Sequence, residues 1–373
     1  MSGFGRSSTL IFGTLTALAL SGCQREGSRI WLDAPHGVHH NAVVRLFGDE
    51  PDAESVPFGG DQVLGLTQHT FTHVGLDFDP DVCAAADLLV FASTRGSDHP
   101  DLYLKSIDGA AVTRLTSDAA DHVQPRFSPD GARIAFCSDA TGNWDIWIMN
   151  RDGSDALPLT DDPADEIAPC WSPDGTHIAL TRWNKRCSEW EIITVPLAAP
   201  TEWRRVTSGL SPVWSPDGGT LAFQRQREPG CRRFSIWTVG LGGNEVDKPS
   251  EIAHEISANC VSPRWSYSGT AIIYAVIPDA AQFLDWNMHT PESATLWTVD
   301  VRDGRHARLV DVGGACVSPA CARDGRVFFV SSRDGTANIW SSKVALGRTT
   351  SGLRESGASA DKSVDVIYVR GSN

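Results

Sequence analysis

One short string recurs along the chain and limits its fold more than any other feature. Phe127-Ser128-Pro129-Asp130-Gly131, Trp171-Ser172-Pro173-Asp174-Gly175 and Trp214-Ser215-Pro216-Asp217-Gly218 follow one another at 44 and 43 residues. Each leads into a short apolar run: RIAF from 133, HIAL from 177 and TLAF from 220. Self-similarity at such a period marks a stacked or ringed array, because one unit of this size buries no complete core alone. Weaker copies at Phe78, Trp265 and Cys321 bring the series to six.

Within a repeat the string reads as strand, turn, strand. Ser suits the first position of a type I turn, Pro presets φ at the second, and Gly closes the fourth. A third strand with alternating apolar and polar residues follows: DLYLKS from 101, DIWIMN from 145, EIITV from 191, SIWTV from 235, LWTVD from 296 and NIWSS from 338. A glycine-bearing turn then leads to a fourth element ending in Leu115-Thr116, Leu159-Thr160 or Val206-Thr207, and less regularly in Ile252-Ala253 and Leu309-Val310. Four antiparallel strands per repeat of about 44 to 56 residues describe a blade. The expectation is an all-β, six-bladed β-propeller over residues 61–343. A composition with 34 Gly, 21 Pro and 13 Trp beside 3 Met suits that reading better than a helical one.

The last repeat has no fourth strand of its own. An orphan motif, Val63-Leu64-Gly65-Leu66-Thr67, stands ahead of the first repeat. Pairing it with the last blade closes the ring and removes the exposed edge. Residues 344–373, rich in Ser and Gly, form a tail, and residues 23–60 a tether.

The first 22 residues read as a signal. Thr9 to Leu20 are apolar, and 12 residues of helix rise about 18 Å, short of the roughly 30 Å hydrocarbon core. The ending Leu20-Ser21-Gly22-Cys23 resembles the bacterial lipoprotein signal, which implies cleavage before Cys23, lipidation of that cysteine and a membrane held through its acyl chains. Gln24 in place of Asp resembles lipoproteins sent to the outer membrane, so the expected location is the periplasm. The other eight cysteines sit in an oxidising compartment under this reading, and none forms a CxxC. Cys260 and Cys316 occupy matching places in adjacent repeats, as do Cys187 and Cys231, and either pair is a candidate disulfide.

Charge narrows the partners. Lys+Arg 32 against Asp+Glu 46 leaves −14 with no basic run, which argues against nucleic acid. The W-S-P-D-G turn, the I-A-F strand, the I-W-x-M-N strand and the closing L-T resemble the repeats of the TolB-type propeller of the bacterial Tol-Pal envelope system. The resemblance covers about residues 61–343. It implies a six-bladed fold, an envelope location and binding of a protein or peptide partner. The same repeats occur in peptidase propellers of the prolyl oligopeptidase kind and in oligogalacturonate lyase, so fold alone does not fix function. TolB proteins also carry an α/β domain ahead of the propeller, whereas only Gln24 to Gly60 stand there in this chain. Binding through that domain is not carried over.

No GxSxG, HExxH or phosphate loop is present, and neither a cofactor nor a metal is expected. Asp77 to Asp81 has calcium-like D-x-D-x-D spacing but lacks the later Gly and Glu, and reads as a turn. His36, His39, His40, His69 and His73 lack a partnering carboxylate motif for a metal site. The repeated tryptophans read as packing between blades rather than a carbohydrate platform. Asp121, His122, Asp165 and Glu166 stand just before first strands, near one mouth of the channel, where an acidic rim suits a cationic segment of a partner. The leading expectation is a non-catalytic interaction scaffold. The alternative is an envelope lyase or hydrolase with a His and carboxylate cluster at the channel mouth.

Overall fold

The computed structural model describes residues 65–344, apart from 84–85, 228–232, 244–245, 279–290 and 292. Cys23, the 23–60 tether, Cys231, His36, His39, His40 and the tail from 345 lie outside the described residues. Six four-stranded antiparallel sheets follow one another in chain order. Blade 1 runs from Asp77 to Arg114, blade 2 from His122 to Pro158, blade 3 from Glu166 to Ser208, blade 4 from Leu210 to Ala253 and blade 5 from Ala258 to Val310. Blade 6 takes three strands from Cys316 to Lys343 and its fourth from the opposite end of the chain. The architecture is the six-bladed, all-β propeller that the repeat demands.

The S-P-D-G turn is braced by its own side chains. The Ser128 hydroxyl donates to Asp130 Oδ1 at 2.5 Å and accepts the Arg133 N–H at 2.9 Å, while Asp130 Oδ1 also accepts the Ala132 N–H. Ser172 with Asp174 and Ser215 with Asp217 repeat this brace. The Gly131 backbone has φ +68°, and a Cβ there would meet Cys83 Sγ at 2.4 Å, so glycine is required at that point. The closing L-T has a similar local role. Thr116 Oγ1 accepts the Leu102 N–H and donates to Asp101, and Thr160 Oγ1 treats Ile146 and Asp145 likewise.

Blades are joined by backbone bonds as well as by packing. At the start of five of the inner strands, an N–H donates to a carbonyl at the start of the third strand of the preceding blade: Asp77 to Ala337, His122 to Pro100, Glu166 to Trp144, Gly209 to Trp190 and Cys316 to Ala294, at 2.7 to 3.0 Å. Trp171, 5% exposed, fills the junction of blades 2 and 3. Its indole N–H donates to the Arg126 carbonyl at 3.1 Å, and the Arg133 guanidinium lies 4.8 Å from the ring centroid. Trp265 repeats the contact on the Val213 carbonyl.

The closing strand is Thr67–Gln68, which reaches only the last residue of the 63–67 motif; Val63 and Leu64 lie outside the described residues. Thr67 lies opposite Ser341 and Gln68 opposite Trp340. So short a strand is reinforced by a buried polar clasp. His69 bridges the Ile107 carbonyl at 3.1 Å and the Ser341 hydroxyl at 2.8 Å, Lys105 Nζ donates to the His69 carbonyl, and Asn338 holds Thr70 and Thr72. Burial, with Lys105 nearby, pushes the His69 imidazole below its ordinary pKa.

Blade 1 corrects one sequence reading. Asp77 to Asp81 lies within the inner strand Asp77–Cys83 and is not a turn. Val82 faces Leu89 as Trp171 faces Ile178, so Val82, not Phe78, is the counterpart of Phe127, Trp171, Trp214 and Trp265. An aromatic therefore stands at this place in four blades, with Val82 and Cys321 in the other two.

Two outcomes follow from this packing. Trp171→Ala should cost roughly 3 to 5 kcal/mol, read from the midpoint of denaturant unfolding; an unchanged midpoint would show that the ring is not part of the core. A chain begun at Thr70 should expose the Asn338–Lys343 edge and associate, as seen by size-exclusion chromatography with light scattering. A stable monomer from that chain would mean that closure does not depend on Thr67–Gln68.

Candidate functional site

Every inner strand breaks its register midway. The shift falls between Phe78 and Asp81, Val123 and Arg126, Ile167 and Cys170, Leu210 and Val213, Val261 and Arg264, and Val317 and Ala320. At each bulge a left-handed residue precedes a proline: Asp79, Gln124, Ala168, Ser211, Ser262 and Ser318 have φ between +50° and +57°. A left-handed L-residue costs roughly 1 to 2 kcal/mol, so six in register need compensation. Proline has no N–H to lose from the ladder. In blades 3, 4 and 5 the N–H of the left-handed residue is instead caught by the preceding blade. Ala168 N–H donates to Gln124 Oε1 at 2.9 Å, Ser211 N–H to Thr181 Oγ1 at 3.0 Å and Ser262 N–H to Gln224 Oε1 at 2.8 Å. Main-chain and side-chain atoms from these six bulges, contributed by all six blades, enclose a cavity of about 40 Å³, which is the neck of the central channel.

Four charged side chains stand at the neck. Burial pushes the Asp79 and Asp81 carboxyls up, against the opposing pull of Arg126 and Arg264. Arg264 is pushed down to about 10, first by burial and then by the positive charge of Arg126. Asp81 accepts the Phe127 N–H at 2.9 Å, a contact that Cys170 Sγ makes with the Trp214 N–H two junctions further on.

The second concentration of polar groups lies at one mouth. Antiparallel blades put the connections between blades and the turns between second and third strands at the same end. Asp98, Asp118, Asp121, Asp139, Asp161, Asp162 and Asp165 all belong to such connections in blades 1 to 3, and each is partly or fully exposed. Of the four residues expected there, Asp121 and Asp165 line this rim, whereas His122 and Glu166 are 4% and 1% exposed and point into the blade junctions. Asp121 Oδ1 holds His99 Nδ1 at 2.7 Å, and His122 Nε2 holds Asp118 at 2.8 Å. His99 and Asp118 carry no repeat signal, which is why the sequence reading passes over them.

Glu166 faces a crowd of its own sign. Arg182 is shared among Asp162 at 2.6 Å, Glu166 at 3.1 Å and Glu191 at 3.6 Å. Glu191 is held more closely by Arg205 at 2.8 Å, and Asp162 is the nearest partner of Arg182. Burial first, then the charges of Asp162 and Asp145, push the Glu166 carboxyl up to about 9. The proton keeps this buried group neutral at pH 7.

Of the two candidate disulfides, the described residues bear on Cys260 and Cys316 alone. Cys260 and Cys316 are buried free thiols in different apolar clusters, Cys260 beside Tyr274 and Cys316 with Phe329. They hold the same register position in two blades, and that equivalence sends each into its own blade rather than toward the other. Cys187 is a free, exposed thiol, and its proposed partner Cys231 lies outside the described residues. Among the described residues, no group of three or more His, Cys, Asp or Glu is arranged to hold a metal ion. His69 is engaged in the closing clasp.

Residues 67–209, spanning the closing strand and blades 1 to 3, match the family described as the TolB beta propeller domain. A search of curated proteins finds no match. Among solved structures, the chain is similar to the putative TolB from Agrobacterium tumefaciens, at 19% identity over 73% of this chain and 91% of that one, with a TM-score of 0.54. It is also similar to a gluconolactonase from Xanthomonas campestris, at 14% identity over 75% and 89% of the two chains, with a TM-score of 0.56. An oligogalacturonate lyase from Vibrio parahaemolyticus gives 13% identity, 75% and 94% coverage and a TM-score of 0.50. At such identities the likeness establishes the fold alone.

The protonated state of Glu166 has a consequence for stability. A carboxyl whose pKa is raised on folding contributes stability below its unfolded pKa and loses it as pH rises toward the folded value. Denaturant unfolding between pH 5 and 9 should therefore show the wild type losing stability relative to Glu166→Gln, with the two nearly equal at pH 5. If the substitution is instead most harmful near pH 5 to 7, Glu166 is ionised and paired with Arg182.

Proposed function

Because this chain is a TolB-like six-bladed β-propeller, we propose that it is a non-catalytic interaction scaffold of the bacterial cell envelope. On this reading it is held to a membrane through lipidated Cys23 and receives a cationic segment of a protein or peptide partner. The observation that supports it most is the rim: seven aspartates from blades 1 to 3 at one mouth of the channel, in a chain of net charge −14. Opposite charge at a rim steers encounter and fixes register. Two or more acyl chains anchor a protein stably where one does so marginally, so the wild-type protein should fractionate with membranes and Cys23→Ser should not.

Crosslinking in cells, followed by identification of what is bound, tests the scaffold reading. Reversing two exposed rim charges with Asp98→Lys and Asp161→Lys should lower the crosslinked yield by on the order of three- to tenfold. Asp152→Lys, in a turn at the opposite end of blade 2, should leave it unchanged. Equal loss from both changes, or from neither, would remove the rim from the binding surface.

One observation favours the enzyme alternative. The hydrogen bond that His99 donates to the Asp121 carboxylate raises the pKa of His99 above its ordinary value, which suits a general acid or base. Among the described residues, no hydroxyl or thiol hydrogen-bonds the His99 ring as a nucleophile would. Lyase or hydrolase turnover abolished by His99→Gln would establish that reading in place of the scaffold.

A further inference from the structure

The channel neck holds more hydrogen-bond donors than acceptors. Arg126 and Arg264 occupy one register position, two residues after the left-handed residue, on blades 2 and 5, which stand opposite each other in a ring of six. Arg126 donates through Nη1 to the Pro125 carbonyl at 2.7 Å, and Arg264 through Nε to the Pro319 carbonyl at 3.1 Å. Each guanidinium has five N–H groups. Among the described residues, the remaining four on each side chain have no protein acceptor, and both arginines line the cavity.

The nearby carboxylates do not meet this demand. Asp81 is engaged by the Phe127 N–H and Asp79 by the Ser318 hydroxyl at 3.4 Å. Among the described residues, neither forms an ion pair with Arg126 or Arg264. Asp79 and Asp81 attract both guanidinium ions without contacting either, and an acceptor placed directly between the two forks would reduce their mutual repulsion and engage their free donors.

We infer that the neck is a binding site for a compact carboxylate, held between the guanidinium groups of Arg126 and Arg264. The shape of the site selects that chemistry. A planar carboxylate offers two oxygens to a guanidinium fork, and its other lone pairs to a second fork on the far side. A cavity needs about 10 to 15 Å³ of such volume per water, so about 40 Å³ accommodates the three heavy atoms of a carboxylate group. Sulfate and phosphate, with five heavy atoms each, fit a neck of about 40 Å³ less well than a carboxylate group. The Ser211 and Ser262 hydroxyls line the same cavity and supply further donors.

The other titratable groups at the neck set the pH dependence. Asp79 and Asp81 are raised by burial, and the Cys170 and Cys321 thiols are kept neutral by it. As pH falls, protonation of either aspartate removes a competing negative charge. Affinity for the anion should therefore increase toward acid pH.

Thermal unfolding of the full chain at constant ionic strength, with formate, acetate or sulfate as the probe, tests the inference. Formate and acetate should raise the melting temperature saturably, more at pH 5 than at pH 7.5, and sulfate should not. Arg126→Gln and Arg264→Gln should each weaken formate binding at least tenfold, while Arg186→Gln on the exposed surface leaves it unchanged. Where a glutamine variant fails to fold, Arg264→Lys keeps the charge, loses the fork, and should still show at least a severalfold loss. A tripeptide with a free C-terminus, compared with its amide, separates the two sources of such a group. Competition with formate by the free acid alone would mean a carboxylate carried on a chain, and no competition a small free acid. No saturable response, an equal response to sulfate, or a wild-type response from both arginine variants would overturn the inference and leave water as the occupant of the neck.

Discussion

The propeller depends on what happens to one N–H per blade at its axis. Inner strands crowd together there, and each gives up ladder pairing at a bulge whose left-handed residue turns its N–H sideways. Proline at the next position removes a second donor that would otherwise be orphaned. A buried unpaired N–H costs about 1 to 3 kcal/mol, so the lateral bonds from Ala168, Ser211 and Ser262 decide whether the bulges are tolerated. They also tie blades 3, 4 and 5 to their predecessors. A second row of ties further out, where inner strands begin, joins five of the six neighbouring pairs through backbone atoms alone, and blades 4 and 5 meet there through the Phe234 N–H and Asn259 Oδ1. The inner row depends on side-chain identity and the outer row, blades 4 and 5 apart, does not, so substitutions at Gln124, Thr181 or Gln224 act on the ring where it has no generic substitute.

This division explains what was legible in the sequence. The turn string specifies a local hydrogen-bond brace, and its residues can be read without knowing their neighbours. Ring closure was legible for a different reason, since a repeat without its fourth strand and an orphan strand at the far end fit together by count. The prolines at 80, 125, 169, 212, 263 and 319 form a sixfold signal as regular as the turn. Their meaning lies in left-handed residues and lateral bonds that no single repeat contains. The offset in blade 1 has the same origin: Phe78-Asp79-Pro80-Asp81 imitates the turn string, but its proline belongs to the bulge series. His122 and Glu166 were expected in the connections just before first strands, but each is the first residue of its inner strand and is buried there.

Charge is distributed with opposite sense along the axis. The rim in blades 1 to 3 is acidic, and one buried carboxyl behind it, Glu166, is kept neutral by that same crowding. At the neck two arginines face each other instead, with two aspartates beside them already engaged by donors of the protein. A cationic group approaching from the rim is drawn inward, and at the narrowest point it meets two guanidinium groups with Asp79 and Asp81 beside them.

The six repeats differ most at one place. The position two residues before each left-handed residue holds Asp77, His122 and Glu166 in blades 1 to 3, and Gly209, Cys260 and Cys316 in blades 4 to 6. All six are buried, so the contrast is between polar and small or apolar packing rather than between exposed and covered surface. Each polar member is linked to rim or connecting residues: Asp77 to Arg95 and Thr72, His122 to Asp118, and Glu166 to Arg182 and through it to Asp162. The small members supply mainly apolar packing, with the Cys260 and Cys316 thiols reaching only the backbone of Glu255 and Val312 in their connections. A ring that is sixfold in its backbone is thus twofold in its chemistry. The half that anchors polar loops from below is also the half that carries the acidic rim.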